Sequence, residues 1–437
     1  MLFPSLITVA GFLAVGTQAR FFRRADGITI SSRKLIAREA PSKIVVTDVV
    51  LPLTKRPAKG ASAARRSSLA KLVIANGSTT GITSLEVGEE FAASVTVGTE
   101  TFELIIDTGS SDTWVVETGF ACTNFQTGQK AAESVCDFGP YYTKSSTFTA
   151  ISGETFSIEY GDGESLTGVI GTEEVTVAGI KVDQEIALVT AASWEGDGTT
   201  SGLMGLAYPA LTSAYKGSTQ EVYNPIFTTM YSKGLIANDY FSLLIEHDTS
   251  GPSGYLAFGG VPDVAFTQNF TSTPIIITTI TGYPDNYDFY TININSVEIN
   301  GVAAASSGGS AVEYIVDSGT TLNYVPTSVA TKINAAFSPA GTYSSSEGVY
   351  VVSCTATPPA ISINIAGTLF PINPLDMILD AGDGTCISGF SDGGSSDTED
   401  IFILGDTFQK NVVSLFDVGA STMQFAGREF YASDDTY

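Results

Sequence analysis

Phe102-Glu103-Leu104-Ile105-Ile106-Asp107-Thr108-Gly109-Ser110-Ser111-Asp112-Thr113-Trp114-Val115-Val116 is the stretch on which the fold turns. A β-prone apolar run drives into a carboxylate on a glycine-containing turn, and a second apolar run follows. An acid at the end of a buried strand is costly unless something there needs it. The chain then repeats the device. Tyr314-Ile315-Val316 leads into Asp317-Ser318-Gly319-Thr320-Thr321, followed by Leu322-Asn323-Tyr324-Val325. One D-[S/T]-G is ordinarily a turn with an Asx hydrogen bond. Two copies, each with strand-forming residues before it and a hydroxyl residue after it, point to something else. Leu203-Met204-Gly205-Leu206 follows the first copy and Ile403-Leu404-Gly405-Asp406 the second at a comparable interval. The pattern predicts two homologous lobes, each giving one acid to a shared site.

The 437 residues suffice for two domains with their own cores, and 44 glycines with 10% aromatics suit many short strands joined by tight turns. The net charge of −25 makes nucleic acid and anionic membranes poor partners. That charge is unevenly spread. Residues 20–66 hold twelve Lys/Arg against three acids, and the remainder holds nine against 43. A basic segment precedes a strongly acidic body.

Leu2 to Val15 is mostly apolar and Thr17-Gln18-Ala19 has a small-x-small pattern, so residues 1–19 are expected to be a secretory signal peptide. The run is too short to span a bilayer. Residues 20–66, with Arg23-Arg24, Arg33-Lys34, Lys55-Arg56 and Arg65-Arg66, are expected to be a propeptide. Its positive charge should draw it across the negative body as an intramolecular inhibitor, with cleavage at Arg65-Arg66. The N-terminal lobe is assigned to 67–260 and the C-terminal lobe to 261–437. Among the four cysteines there is no C-x-x-C, and His247 is the single histidine, so no metal site and no cofactor are expected. Four cysteines allow three pairings; Cys122–Cys136 and Cys354–Cys386 keep each bridge within one lobe. Phe156 to Tyr160, Gly161-Asp162-Gly163 and Leu166 to Val177 predict a hairpin with a glycine-rich tip. Helices are expected at Pro225 to Lys233 and Ser328 to Phe337. Asn76 and Asn269 head glycosylation sequons.

These residues together resemble the pepsin-like aspartic endopeptidases, most of all the secreted fungal acid proteases. The likeness runs in order from about Leu85 to the end. It rests on Asp107-Thr108-Gly109-Ser110 with Trp114, Tyr160-Gly161-Asp162-Gly163, Leu203-Met204-Gly205-Leu206-Ala207-Tyr208-Pro209, Asp317-Ser318-Gly319-Thr320, Cys354 with Cys386, and Ile403-Leu404-Gly405-Asp406. The resemblance implies an all-β, bilobal fold of two β-barrel-like lobes, with Asp107 and Asp317 at the floor of the cleft between them. It implies that Thr108 and Ser318 brace the two loops and that Ser110 and Thr320 donate to the outer carboxylate oxygens. Gly109 and Gly319 complete the motifs. Tyr160 would be the tyrosine of a flap containing Gly161 and Asp162, steadied by Trp114. Ile105, Leu203 and Thr200 would line the pocket before the scissile bond. Thr200 stands where many relatives carry a large aromatic.

The function so implied is a secreted, monomeric acid protease. It would cut peptide or protein substrates beside hydrophobic residues with water activated between two aspartates. The alternative is a catalytically silent pepsin-fold protein that binds a partner in its cleft. A glycosidase also uses two acids, but its carboxylates stand several ångströms apart. A serine hydrolase is poorly served by His247, which lies in the polar turn Glu246-His247-Asp248-Thr249-Ser250-Gly251.

Overall fold

The strand Tyr240–Ile245 is buried at every position and lies in the interior of a six-stranded sheet. It pairs with Gly254–Phe258 on one side and with Val412–Asp417, near the end of the chain, on the other. A strand covered on both faces has no polar side to show, which is why Tyr-Phe-Ser-Leu-Leu-Ile lacks alternation. The full order of this six-stranded sheet is Val50–Pro52, Gly254–Phe258, Tyr240–Ile245, Val412–Asp417, Thr422–Gly427 and Thr271–Pro274. Strands from both sides of the expected 260/261 boundary therefore build one sheet. Phe241 stacks on Phe416 at 4.6 Å across it.

The computed structural model describes residues 44–56, 90–160, 163–246, 253–267, 269–278, 285–304, 312–345, 347–381, 384–395 and 402–430. The expected signal peptide, Arg65-Arg66, Asn76, Leu85, Gly161, Asp162 and His247 lie outside the described residues.

The N-terminal half forms an eleven-stranded sheet. Its spine is the long hairpin Ser165–Val177 with Ile180–Ser193, paired from Val177↔Ile180 to Ser165↔Ser193. Phe91, Ala93, Val95 and Val97 of the strand Glu90–Val97 are all buried; Ala92 is buried too, and the alternation is clear from Ala93 onward, where Ser94 and Thr96 face outward. The C-terminal half forms a six-stranded and two four-stranded sheets. Helices are few and short: Ile226–Ser232 and Thr327–Ala335 fall where the sequence predicts them, and Asp406–Gln409 adds a single turn. Each half carries its expected disulfide, Cys122–Cys136 and Cys354–Cys386.

The two halves position their acids by the same arrangement. Gly202–Gly205 slots between Glu100–Asp107, to which it runs parallel, and Thr113–Thr123, to which it runs antiparallel. Phe402–Leu404 does the same between Val312–Val316 and Asn323–Val325. This is why the repeated Leu-Met-Gly-Leu and Ile-Leu-Gly-Asp segments follow the acid motifs: each holds the loop emerging from an acid-bearing strand.

Residues 44–56 supply a feature that the basic composition of residues 20–66 as a whole conceals. Val50–Pro52 forms the edge of the central sheet, and Thr54–Arg56 pairs with Glu90–Val97 in the N-terminal sheet. Leu51 and Leu53 are buried in the main core. The described part of the basic segment is thus held by ladder hydrogen bonds and apolar burial, a mode of attachment the charge argument omits.

Candidate active site

Asp107 closes the strand Glu100–Asp107, and Asp317 follows the strand Val312–Val316; both are fully buried. The loops they begin meet at the junction of the halves and are tied by reciprocal hydrogen bonds. The Thr108 hydroxyl accepts from the Ser318 amide (2.9 Å) and donates to the Val316 carbonyl (3.1 Å). The Ser318 hydroxyl accepts from the Thr108 amide (3.2 Å) and donates to the Ile106 carbonyl (2.9 Å). Each hydroxyl therefore satisfies one donor and one acceptor of the opposite strand end, where an unpaired group would be expensive.

The carboxylates are held in matched fashion. Gly109 donates to Asp107 Oδ1 (2.7 Å), and Gly319 to Asp317 Oδ1 (2.8 Å). The Ser110 hydroxyl donates to Asp107 Oδ2, and the Thr320 hydroxyl to Asp317 Oδ2 (2.6 Å). Glycine at 109 and 319 has a steric reason. A Cβ on Gly109 would lie 2.6 Å from the Asp317 carboxyl, and one on Gly319 would lie 2.5 Å from Asp107 Oδ1. Each glycine thus lets the opposite acid's carboxyl lie close against its loop.

That proximity has an electrostatic consequence. Asp317 is pushed well above the usual carboxylate range, first by burial and then by the charge of Asp107, with which it shares a hydrogen bond. Thr320 and the Gly319 amide pull in the opposite direction without cancelling the effect. A second acid on the first loop, Asp112, is raised to about 6 by burial. Its oxygens accept from the Tyr223 hydroxyl (2.5 Å) and the Ser213 amide (3.0 Å).

Tyr160 is 2% exposed and stands beside the first loop. Its phenol oxygen accepts from the Trp114 indole (2.8 Å). Burial, with Asp107's charge next, holds its ionisation well above the ordinary range, so it stays a neutral donor. Ile105, Leu203 and Thr200 are buried nearby in the N-terminal half, and the Thr200 hydroxyl donates to Asp197 (2.9 Å).

Trp194 and Glu164 are not apparent from the sequence. The Trp194 ring lies 5.7 Å from Tyr160, 5.3 Å from Trp114 and 5.7 Å from Phe138. An aromatic soon after the apolar run Ile186-Ala187-Leu188-Val189, for which no strand is predicted, is the one signal that could have drawn attention to it. Gly389-Phe390-Ser391-Asp392-Gly393 matches the spacing of a serine-hydrolase elbow, yet Ser391 sits in the strand Phe390–Asp392 and donates to the Gly348 carbonyl (2.7 Å). Among the described residues no cluster of His, Cys, Asp and Glu is arranged to hold a metal ion.

Residues 90–428 match the family description eukaryotic aspartyl protease. The chain is 46% identical to an Aspergillus fumigatus protein named a probable aspartic-type endopeptidase, over 97% of this chain and 98% of that protein. It is 31% identical to rhizopuspepsin of Rhizopus chinensis, over 77% of this chain and 78% of that one. The crystal structure of the aspartic proteinase from Irpex lacteus superposes with a TM-score of 0.63 at 22% identity, covering 79% of this chain and 96% of that one. The chain belongs to the eukaryotic aspartyl protease family.

Proposed function

We propose that the protein is an aspartic endopeptidase in which Asp107 and Asp317 jointly activate the water that cleaves a peptide bond. The observation that carries this is the reciprocal bracing of the two loops, with the Asp317 carboxyl hydrogen-bonded to Asp107 and its proton affinity raised. Two like charges this close disfavour double ionisation, as aspartic proteases exemplify, so the pair holds one proton over a range of acidic pH. The two titrations belong to the pair. The protonated member of the pair can polarise the substrate carbonyl while the ionised member takes the proton from water. The carboxyls then exchange roles to protonate the departing amine. No step requires a covalent enzyme intermediate.

Tyr160 is proposed to cover the substrate, and Ile105 and Leu203 to favour an apolar side chain before the cut. Trp194 adds to that wall. Among the described residues no helix is long and apolar enough to cross a membrane. Secretion rests on residues 1–19, and the exposed Asn269 is available for a glycan. Residues 20–66 are proposed to be a propeptide whose strand Val50–Pro52 must leave the central sheet if cleavage at Arg65-Arg66 is to free it. The experiment is acid-pH hydrolysis of a denatured protein by the processed enzyme. Activity should be blocked by a statine-type transition-state analogue and abolished by Asp107→Asn. Full activity in that variant would overturn the assignment.

A further inference from the structure

Glu164 is 7% exposed, although it belongs to the tip of a hairpin. The ladder between Ser165–Val177 and Ile180–Ser193 ends at Ser165↔Ser193. One step beyond, the Glu164 carboxylate accepts from the Glu195 amide at 2.9 Å. A side chain thus makes the bond that a further rung of the sheet would have made. The Glu164 carbonyl meanwhile accepts from the Tyr160 amide (2.8 Å), closing the tip on itself.

Residue 195 is a junction. Trp194 precedes it and packs edge-on against the Tyr160 ring. The Glu195 carboxylate accepts from the Gln126 amide (3.0 Å), in the loop closed by Cys122–Cys136. Two residues on, Asp197 Oδ1 accepts from the Thr199 amide (2.8 Å), the Thr200 amide (2.6 Å) and the Thr200 hydroxyl (2.9 Å). The segment from 194 to 200 is therefore well fixed, and it runs into Gly202–Gly205 beside Asp107.

We propose that Glu164 is a positioning residue, a latch that fastens the hairpin tip to residue 195, holds Tyr160 against Trp194 and so sets how tightly substrate is covered. This rests on the reading of Tyr160 as the residue that covers substrate. A latch of this kind acts on the approach and retention of substrate rather than on the two aspartates. Removing it should weaken apparent binding more than turnover.

The molecule carries a built-in reporter. Its two tryptophans are Trp114 and Trp194, and both touch Tyr160. Glu164→Met keeps the bulk and removes the acceptor; Glu164→Gln keeps both. The Met variant should raise KM about tenfold, the scale of one lost buried hydrogen bond, and leave kcat within about twofold. Acrylamide should quench its tryptophan fluorescence more readily, whereas Glu164→Gln should match the wild type in both readouts. A Met variant with wild-type KM overturns the latch. Should the Met variant not fold, hydrogen exchange in the wild-type enzyme decides: a slow Glu195 amide is expected, and a fast one overturns the proposal. Tyr160→Ala separates the two levels. Wild-type KM in that variant would defeat the reading of Tyr160, whereas impairment there with an unimpaired Glu164→Met defeats the latch alone.

Discussion

The loop beginning at Asp107 and the loop beginning at Asp317 agree atom for atom where the chemistry is proposed, and part company immediately after it. Both carry a hydroxyl that braces the opposite loop, a glycine that admits the opposite carboxyl, and a hydroxyl on the outer oxygen. Five residues beyond the acid, the first loop has Asp112 and the second has Leu322. Asp112 is tied to Tyr223 and Ser213; Leu322 packs with Val349, Leu379, Ala381 and Ile387. Beyond that, Trp114 holds Tyr160, while Tyr324 lies partly exposed. The halves are symmetric for the proton and asymmetric for everything that controls access to it.

The largest test of that symmetry is the acids themselves. Asp107→Asn and Asp317→Asn should each lower kcat/KM by about a thousandfold or more, since each removes half of a shared acid–base pair. A large loss from only one of them would break the comparison at its root. The bracing hydroxyls come next. Thr108→Val and Ser318→Ala each strand a buried amide and a buried carbonyl, and each should cost about 3–4 kcal/mol in urea unfolding. The two costs should agree; a wide gap would show that one half leans on the other.

Asp112 sharpens the difference between the halves. Its folded value of about 6 lies above the ordinary 3.8. Its contribution to stability is therefore fully present below about pH 4 and is lost as pH rises through 6, a change of roughly 2–3 kcal/mol. Asp288 and Glu313, each raised to about 7 chiefly by burial, act with the same sign. Asp112→Asn should flatten the fall in urea midpoint between pH 4 and 7, and an unchanged slope would remove Asp112 from the account. The disulfides give the smallest effect. Their sequence separations of 14 and 32 imply that losing Cys354–Cys386 costs about 0.7 kcal/mol more than losing Cys122–Cys136, on loop-closure entropy alone. Paired Cys→Ala variants compared by thermal unfolding measure it.

How much of this was legible in the chain depended on whether the signal was local. The two acid motifs, the hydroxyls beside them, the hairpin ending at Tyr160 and both helices carry their own patterns of residue type and spacing. The Asp112–Tyr223 pair has no such pattern, because a long stretch of chain separates two residues that meet only after folding. Glu164 has the composition of an exposed tip, and its carboxylate meets the Glu195 amide only once the chain has folded. The strands within 44–56 were hidden for another reason. Residues 44–53 are mostly aliphatic and hold no Lys or Arg, but Pro52 interrupts the run and the charge of residues 20–66 taken as a whole masks this local strand signal.

The central sheet has a bearing on how the protein is made. Tyr240–Ile245 leaves the ribosome long before Val412–Asp417, its partner, has been synthesised. For that interval one side of a strand that is apolar but for Ser242 stands open, the kind of edge that recruits other chains. The strand Val50–Pro52, already synthesised, covers the far side of its neighbour Gly254–Phe258 from the outset. With that early segment in place the sheet has one open edge where it would otherwise have two.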